Sequence, residues 1–224
     1  MRSYDLIYDF LRVLCYNAEY LLPLQYQIYL MEIIMAKPRQ FPVVYINEKA
    51  ERSLRAGHPW VYGEEVTHIE GEYENGGIAD VFTSKNRYLG SGFINDHSRI
   101  LVRVISNNTN DRFDDAFFER RLRYAVDYRR TVMPGDDFKC CRLIFGEADF
   151  LPGLTVDKYE DVLVVESLAL GIDRMKEQII GLIKEVLAED GIIIRGVYER
   201  SEARVRKKEG LPLHKGFIGP EFDP

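Results

Sequence analysis

Three clusters in this sequence carry residue types that could do chemistry. The first is Arg52, Arg55 and the run Gly57-His58-Pro59-Trp60. From Ala36 to Trp60, Lys37, Arg39, Lys49, Arg52 and Arg55 stand against only Glu48 and Glu51. Arginines beside a helix end and an aromatic ring suit phosphate contact and base stacking on RNA. Trp60 has a second and weightier reading as a core residue, because large aromatics dominate small cores. For the arginines a merely solvated face is an equal rival. His58 has no Cys, Asp or Glu at ligand spacing, so a hydrogen-bonded structural histidine fits better than metal or acid–base work. His68, His97 and His214 are equally isolated.

The second cluster is Gly146-Glu147-Ala148-Asp149-Phe150-Leu151-Pro152-Gly153, followed by Asp157. Two carboxylates two residues apart could suggest a metal site or a glycosidase-type pair. No third ligand is evident, and acids beside Gly and Pro are ordinary turn chemistry, so a structural turn is expected. The third cluster is Tyr198 to Gly210; from Arg195 to Glu209, Arg195, Arg200, Arg204, Arg206, Lys207 and Lys208 outnumber Glu199, Glu202 and Glu209. Ser201 with Glu202 could cap a short helix there. RNA contact, docking to another domain and a solvated helix face all fit this patch. The candidate RNA-binding residues are therefore Lys49, Arg52, Arg55, His58, Trp60, Arg204, Arg206 and Lys207. Cys140-Cys141 opens a hydrophobic strand, where buried and inert thiols are expected. No dinucleotide, Walker-type or nucleophile-elbow motif is present, so the residues show no catalytic, metal or cofactor site.

The elements that must position these residues fall into two groups. Phe41 to Ile46 reads as a strand and Asn47 as the N-cap of a short helix that Gly57-His58-Pro59 ends. Strands follow at Trp60–Tyr62, at Ile78–Thr83, from Arg87 to Asn95 and at Ile100–Ile105, with Asn75-Gly76-Gly77 and Lys85-Asn86 as turns. Gly90 and Gly92 suggest a bulge or a close backbone approach. This pattern predicts a small closed β-barrel over 41–106. The polar run Ser106 to Asp111 then separates a second region. It holds a helix from Asp114 to about Arg130, strands at Cys141–Phe145, Leu154–Lys158 and Val162–Leu170, a helix at Ile172–Glu189 and a strand at Ile192–Tyr198. Helices and strands in that order predict an α+β sandwich over 112–216.

At 224 residues, 46% hydrophobic and 29% charged, the chain has the composition of a soluble globular protein. Its net charge of −6 excludes general coating of nucleic acid, so RNA contact must come from a local basic face. Three cysteines in no framework fit a reducing cytoplasm. The longest uncharged run near the start, Tyr20 to Met31, is too short to span a membrane, and no secretory pattern precedes it. Residues 1–40 read as an extension, either an amphipathic helix or sequence upstream of a natural beginning at Met35-Ala36-Lys37-Pro38-Arg39. The second reading is favoured.

The spacing of the three clusters resembles the bacterial class I S-adenosylmethionine-dependent methyltransferases that make 5-methylcytosine in 23S ribosomal RNA. The matching stretches are Lys49 to Leu54 with Gly57 to Val61, Arg142-Leu143-Ile144 through Gly146 to Asp149 and Leu151 to Asp157, and Tyr198 to Ser201 with Val205 to Gly210. The resemblance implies a PUA domain at 41–106 and a central domain at 112–216. It also implies a third, Rossmann-like domain that holds the methyl donor and a catalytic cysteine after a proline. No Pro-Cys pair occurs here, and 217–224 reads as the start of a linker to that domain, absent from this chain. The expectation is an RNA-recognition portion that positions ribosomal RNA, holds no cofactor itself and is inactive alone. Self-association through the face meant for the third domain would follow. A stand-alone RNA-binding or assembly module and an inactive remnant are the alternatives. Phe150 departs from the family, which usually has glycine there.

Overall fold

Alternation of buried Val44 and Ile46 with half-buried Val43 and Tyr45 produces β1 (Val43–Ile46). Asn47 then caps α1 (Glu48–Arg55), its Oδ1 accepting the Ala50 N–H at 3.0 Å. Gly57, at φ 91°, turns the chain into β2 (Trp60–Tyr62). Four further strands follow: β3 (Val66–Glu70), β4 (Ile78–Thr83), β5 (Tyr88–Ile94) and β6 (Ile100–Ser106). They form a mixed sheet in the order β2-β6-β5-β4-β1-β3. The computed structural model describes residues 41–223, so the expected extension over 1–40, with Lys37, Arg39 and Cys15, lies outside the described residues.

This sheet is a half-barrel, where the sequence suggests a closed barrel. Its edges, β2 and β3, do not pair. A 3₁₀ turn at Gly63–Glu65 spans the gap instead. Buried Glu65 accepts the Tyr62 N–H on its carboxylate (3.1 Å) and the Asn47 N–H on its carbonyl (2.9 Å), and pairs with Lys49 at 3.1 Å. These bonds tie the turn between β2 and β3 to the start of α1. Gly90 and Gly92 do mark a close approach: a Cβ at Gly92 would collide with the Arg103 carbonyl, and the β5–β6 register shifts between Ser91 and Gly92.

The second region begins with α2 (Asp115–Val132), capped by Asp114, whose Oδ1 accepts the Phe117 N–H at 3.1 Å. β7 (Cys140–Phe145), β8 (Leu154–Tyr159), β9 (Val162–Ser167), β10 (Gly196–Ser201) and β11 (His214–Phe217) make a sheet in the order β11-β10-β9-β8-β7. α3 (Leu170–Ala188) crosses between the parallel pair β9 and β10. α2 packs on α3 and β7, and α3 on β9, giving a two-layer α+β sandwich. The strand expected at Ile192 starts later, at Gly196, and Ile193 is exposed. The parallel register explains the shift: Gly196 pairs with Val162, the first residue of β9, so the chain has no ladder to join before it. Ser201 lies in β10 rather than capping a helix, and its Oγ accepts the Ser167 N–H at 3.0 Å.

Phe41–Pro224 cluster as one compact unit. Val44, Ile46, Val61, Val81, Ile94 and Val102 fill the half-barrel. Phe93 and Ile105, from the same sheet, belong to the larger core with Phe117, Leu143, Leu163 and Ile183. The half-barrel therefore shares apolar surface with the sandwich rather than hanging from a linker. No described helix is long and apolar enough to cross a membrane.

Candidate nucleic-acid interface

Behind the first cluster lies a buried polar network that joins the two regions. The Trp60 indole N–H donates to Glu147 Oε1 at 3.0 Å. Arg103, on β6, reaches the same Glu147 oxygen at 3.5 Å and Glu209 Oε1 at 2.8 Å, with its guanidinium 5.5 Å from the Trp60 ring centroid. Glu209, only 2% exposed, also accepts from Ser98 Oγ at 2.5 Å and from Asn95 Nδ2 at 3.1 Å. Residues from all three clusters thus meet here. Trp60 is half-buried and hydrogen-bonded, which matches its core reading more closely than an open stacking ring.

The polar side chains of the first cluster face outward. Lys49, Arg52, Arg55 and His58 are all exposed. Arg52 and Arg55 pair with Glu48 (4.0 Å) and Glu51 (2.9 Å) one turn earlier on α1. Exposed pairs at this spacing are worth only about 0.3–0.5 kcal/mol, so a phosphate can compete for either arginine. The His58 ring leans against Trp60, 5.2 Å between centroids.

The third cluster divides. Arg204, Lys207 and Lys208 are exposed, and no ion pair involves them among the described residues. Arg206 is different: it is 1% exposed. Its Nε donates to the Pro212 carbonyl at 2.8 Å, and its Nη1 to Asp173 Oδ1 at 2.8 Å and to the Ser167 carbonyl. Its inclusion among the RNA-facing residues is corrected, because a guanidinium enclosed by carbonyls and a carboxylate presents nothing to solvent. The cause is the 3₁₀ turn Arg204–Glu209, which points positions 206 and 209 inward and 204, 207 and 208 outward.

The paired carboxylates of the second cluster act as structural anchors. Asp149 accepts both Arg129 amino groups, at 2.8 and 2.6 Å, and the Phe145 N–H at 2.6 Å. Glu147 serves the network already described. Among the described residues no His, Cys, Asp or Glu cluster could hold a metal ion. Burial pushes the Cys141 thiol up, which suits an inert residue, whereas Cys140 is exposed against expectation. Alternation along β7 sends the two thiols to opposite faces.

Around this loop the surface is grooved. One depression of about 540 Å³ runs between His58, Leu54, Tyr88 and Val104 and reaches Arg121 and Phe150. A second, about 470 Å³, continues from Arg121 and Phe150 to Tyr124, Tyr128 and Phe145. The sequence marks neither Phe145 nor Phe150 as a site residue. Their place on either side of Gly146–Asp149 is visible there, but their exposure is not.

The start of α3 does not fit S-adenosylmethionine. The parallel β9–α3–β10 crossover is the arrangement nearest to a nucleotide-binding unit, and ligands of such units sit at the helix N-terminus. There Gly171 packs directly on the Phe93 ring, and Leu170 and Arg174 on Gly76, so the half-barrel fills that position.

Residues 44–107 match the PUA-like domain family. Over 174 residues the chain is 36% identical to the ribosomal RNA large subunit methyltransferase I of Yersinia pseudotuberculosis (serotype O:1b, strain IP 31758), and equally to that of Yersinia pestis (bv. Antiqua, strain Angola). The match takes in 78% of this chain and 43% of each relative. A candidate SAM-dependent methyltransferase from Streptococcus mutans superposes with a TM-score of 0.64 over 81% of this chain and 44% of its own, at 14% identity. A second candidate methyltransferase, solved with S-adenosylhomocysteine, gives 0.65 over 81% and 43%. At that identity the structural likeness speaks for the fold alone. The chain thus carries a PUA-like domain, is homologous to ribosomal RNA large subunit methyltransferases, and spans less than half the length of the relatives it matches.

Proposed function

We propose that this chain recognises and positions ribosomal RNA for a methyltransferase that uses S-adenosylmethionine, with carbon 5 of a cytosine as the methylated atom. The observation that carries the reading is the exposed cationic end of the PUA-like half-barrel. Arg52, Arg55 and His58 project there from a frame that Trp60, Arg103, Glu147 and Glu209 lock to the sandwich. A rigid frame matters because phosphate contacts set register and orientation without reading sequence. Arg204, Lys207 and Lys208 supply further exposed cations on the sandwich side. The net charge of −6 works in the same direction, since it suppresses contact away from these faces. The exposed Cys140 fits a reducing, cytoplasmic setting.

Binding of the full chain to labelled fragments of large-subunit ribosomal RNA, followed by fluorescence anisotropy across a salt series, tests this. Wild type should bind with an affinity that falls steeply with salt, and added S-adenosylmethionine should leave it unchanged. Arg52→Glu with Arg55→Glu should weaken binding at least tenfold and flatten the salt slope by about one for each phosphate no longer held. Affinity untouched by that double variant would remove the half-barrel from the RNA path.

A further inference from the structure

Four of the exposed aromatic rings of the sandwich share one groove. Tyr124, Tyr128, Phe145 and Phe150 are between 53% and 62% exposed, and all four line the second groove. Tyr124 and Tyr128 occupy successive turns of one α2 face, four residues apart, with Arg121 one turn earlier on the same face. Three of the rings carry a guanidinium: Arg121 lies 4.7 Å from the Phe150 centroid, Arg129 5.1 Å from Tyr128 and Arg142 5.2 Å from Phe145. Phe150 holds its place in a left-handed backbone conformation, φ 58°, which disfavours any side chain.

The cations in this groove are unequal. Asp149 neutralises Arg129 and Asp157 neutralises Arg142. Arg121 has no carboxylate partner within ion-pair distance among the described residues; it gives one hydrogen bond, to the Ile105 carbonyl at 3.2 Å. Its Nε is buried without a hydrogen-bond partner, and burial lowers the pKa of the guanidinium. Arg121 also lines the first groove, which continues to Arg55 and His58. One path therefore leads from Arg55 at the end of α1, past Arg121, which has no carboxylate in direct contact, onto a row of open rings.

We infer that this path binds single-stranded RNA, with bases stacked on Phe150, Tyr128, Tyr124 and Phe145 and a phosphate at Arg121. Flat rings with seated guanidinium groups accept any base, whereas a duplex keeps its bases stacked inside and cannot use them. A protein partner suits the site less well. Burying Arg121 under protein, with no carboxylate within ion-pair distance, would cost the desolvation of its charge, whereas an RNA phosphate brings the counter-charge. The inference rests on the RNA-recognition reading above and extends it from the half-barrel to the sandwich.

The test compares a fluorescent single-stranded 12-nucleotide RNA with a blunt hairpin of the same length of backbone, using the full chain. Phe150→Gly removes a ring while relieving the left-handed strain, and Tyr124→Ala with Tyr128→Ala removes two exposed rings from the α2 face. Each should weaken single-strand binding about tenfold or more, leave the salt slope at the wild-type value and leave hairpin binding unchanged. Arg121→Gln should weaken the single strand and reduce the slope. Wild-type affinity for the single strand in the aromatic variants overturns the inference; if the hairpin still binds and is lost with Arg52→Glu and Arg55→Glu, the RNA-recognition reading survives it. No binding of either RNA by wild type overturns both. A wild-type dimer that becomes monomeric in the aromatic variants, by sedimentation, also overturns it, because the rings then serve contact between copies of the chain.

Discussion

Glu209 accepts from Asn95, Ser98 and Arg103 while 2% exposed, so its charge has exchanged water for protein donors. Removing one member of such a buried pair strands the other. Arg103 already has a buried Nε without a partner, which leaves it little slack. Glu209→Ala is therefore expected to cost about 3–5 kcal/mol, read from urea unfolding; a loss below about 1 kcal/mol would show that Arg103 finds other partners. Phe150 sits at the opposite extreme. Its left-handed backbone costs about 1–2 kcal/mol, and glycine returns about 0.5–1 kcal/mol of that as chain entropy. Phe150→Gly should thus unfold within about 1 kcal/mol of wild type, so a binding defect in that variant reports the ring and not the fold.

At the scale of elements, α2 links stability to the groove. Its inner face, Phe117, Phe118, Leu122, Ala125 and Val126, is buried, while Arg121, Tyr124 and Tyr128 line the groove. Its start depends on Asp114, and Asp114→Ala is expected to cost about 1 kcal/mol, measured by urea midpoint. A value indistinguishable from zero would mean the helix is held by its apolar stripe alone. The β5–β6 pairing is less forgiving. A methyl at Gly92 meets the Arg103 carbonyl, and that strand carries the Phe93 contact while its neighbour carries Arg103 itself. Gly92→Ala should lower the yield of folded protein and broaden the amide spectrum of the whole half-barrel. These elements are legible in the sequence because their signals are local: the Asn47 cap, the acids Asp114-Asp115 at the start of α2, the Asn86 turn and the glycine pair. The start of β10 and the existence of β11 are not, since where a strand starts depends on the neighbour it pairs with, and His214–Phe217 has no β-branched run to announce it.

For the molecule as a whole, the half-barrel and sandwich act as one body, joined by shared core and by buried ions. Asp173 shows how pH bears on that body. Burial opposes its charge, but the Arg206 hydrogen bond and the charges of Lys176 and Arg206 outweigh burial and hold its carboxyl below the usual range. A carboxyl depressed on folding contributes stability above its unfolded value, about 3.9, and that contribution disappears as pH falls through the lower folded value. The difference in urea midpoint between wild type and Asp173→Asn should stay constant from about pH 7 to 5 and narrow below about pH 4. A difference that persists unchanged into acid would assign the effect to shape rather than charge.

The sequence by itself determined the α+β layout, the Asn47 cap and the turns, and the resemblance to ribosomal RNA methyltransferases. All of these rest on residue types at short spacing, where backbone geometry leaves few choices. Only the tertiary structure decided that the barrel is open, that Arg206 is buried while Lys207 is not, and that Trp60, Arg103, Glu147 and Glu209 converge. It also decided that Phe145 and Phe150 meet Tyr124 and Tyr128 in one groove. Exposure and convergence depend on which surfaces are covered by elements distant in the chain. No local pattern records that.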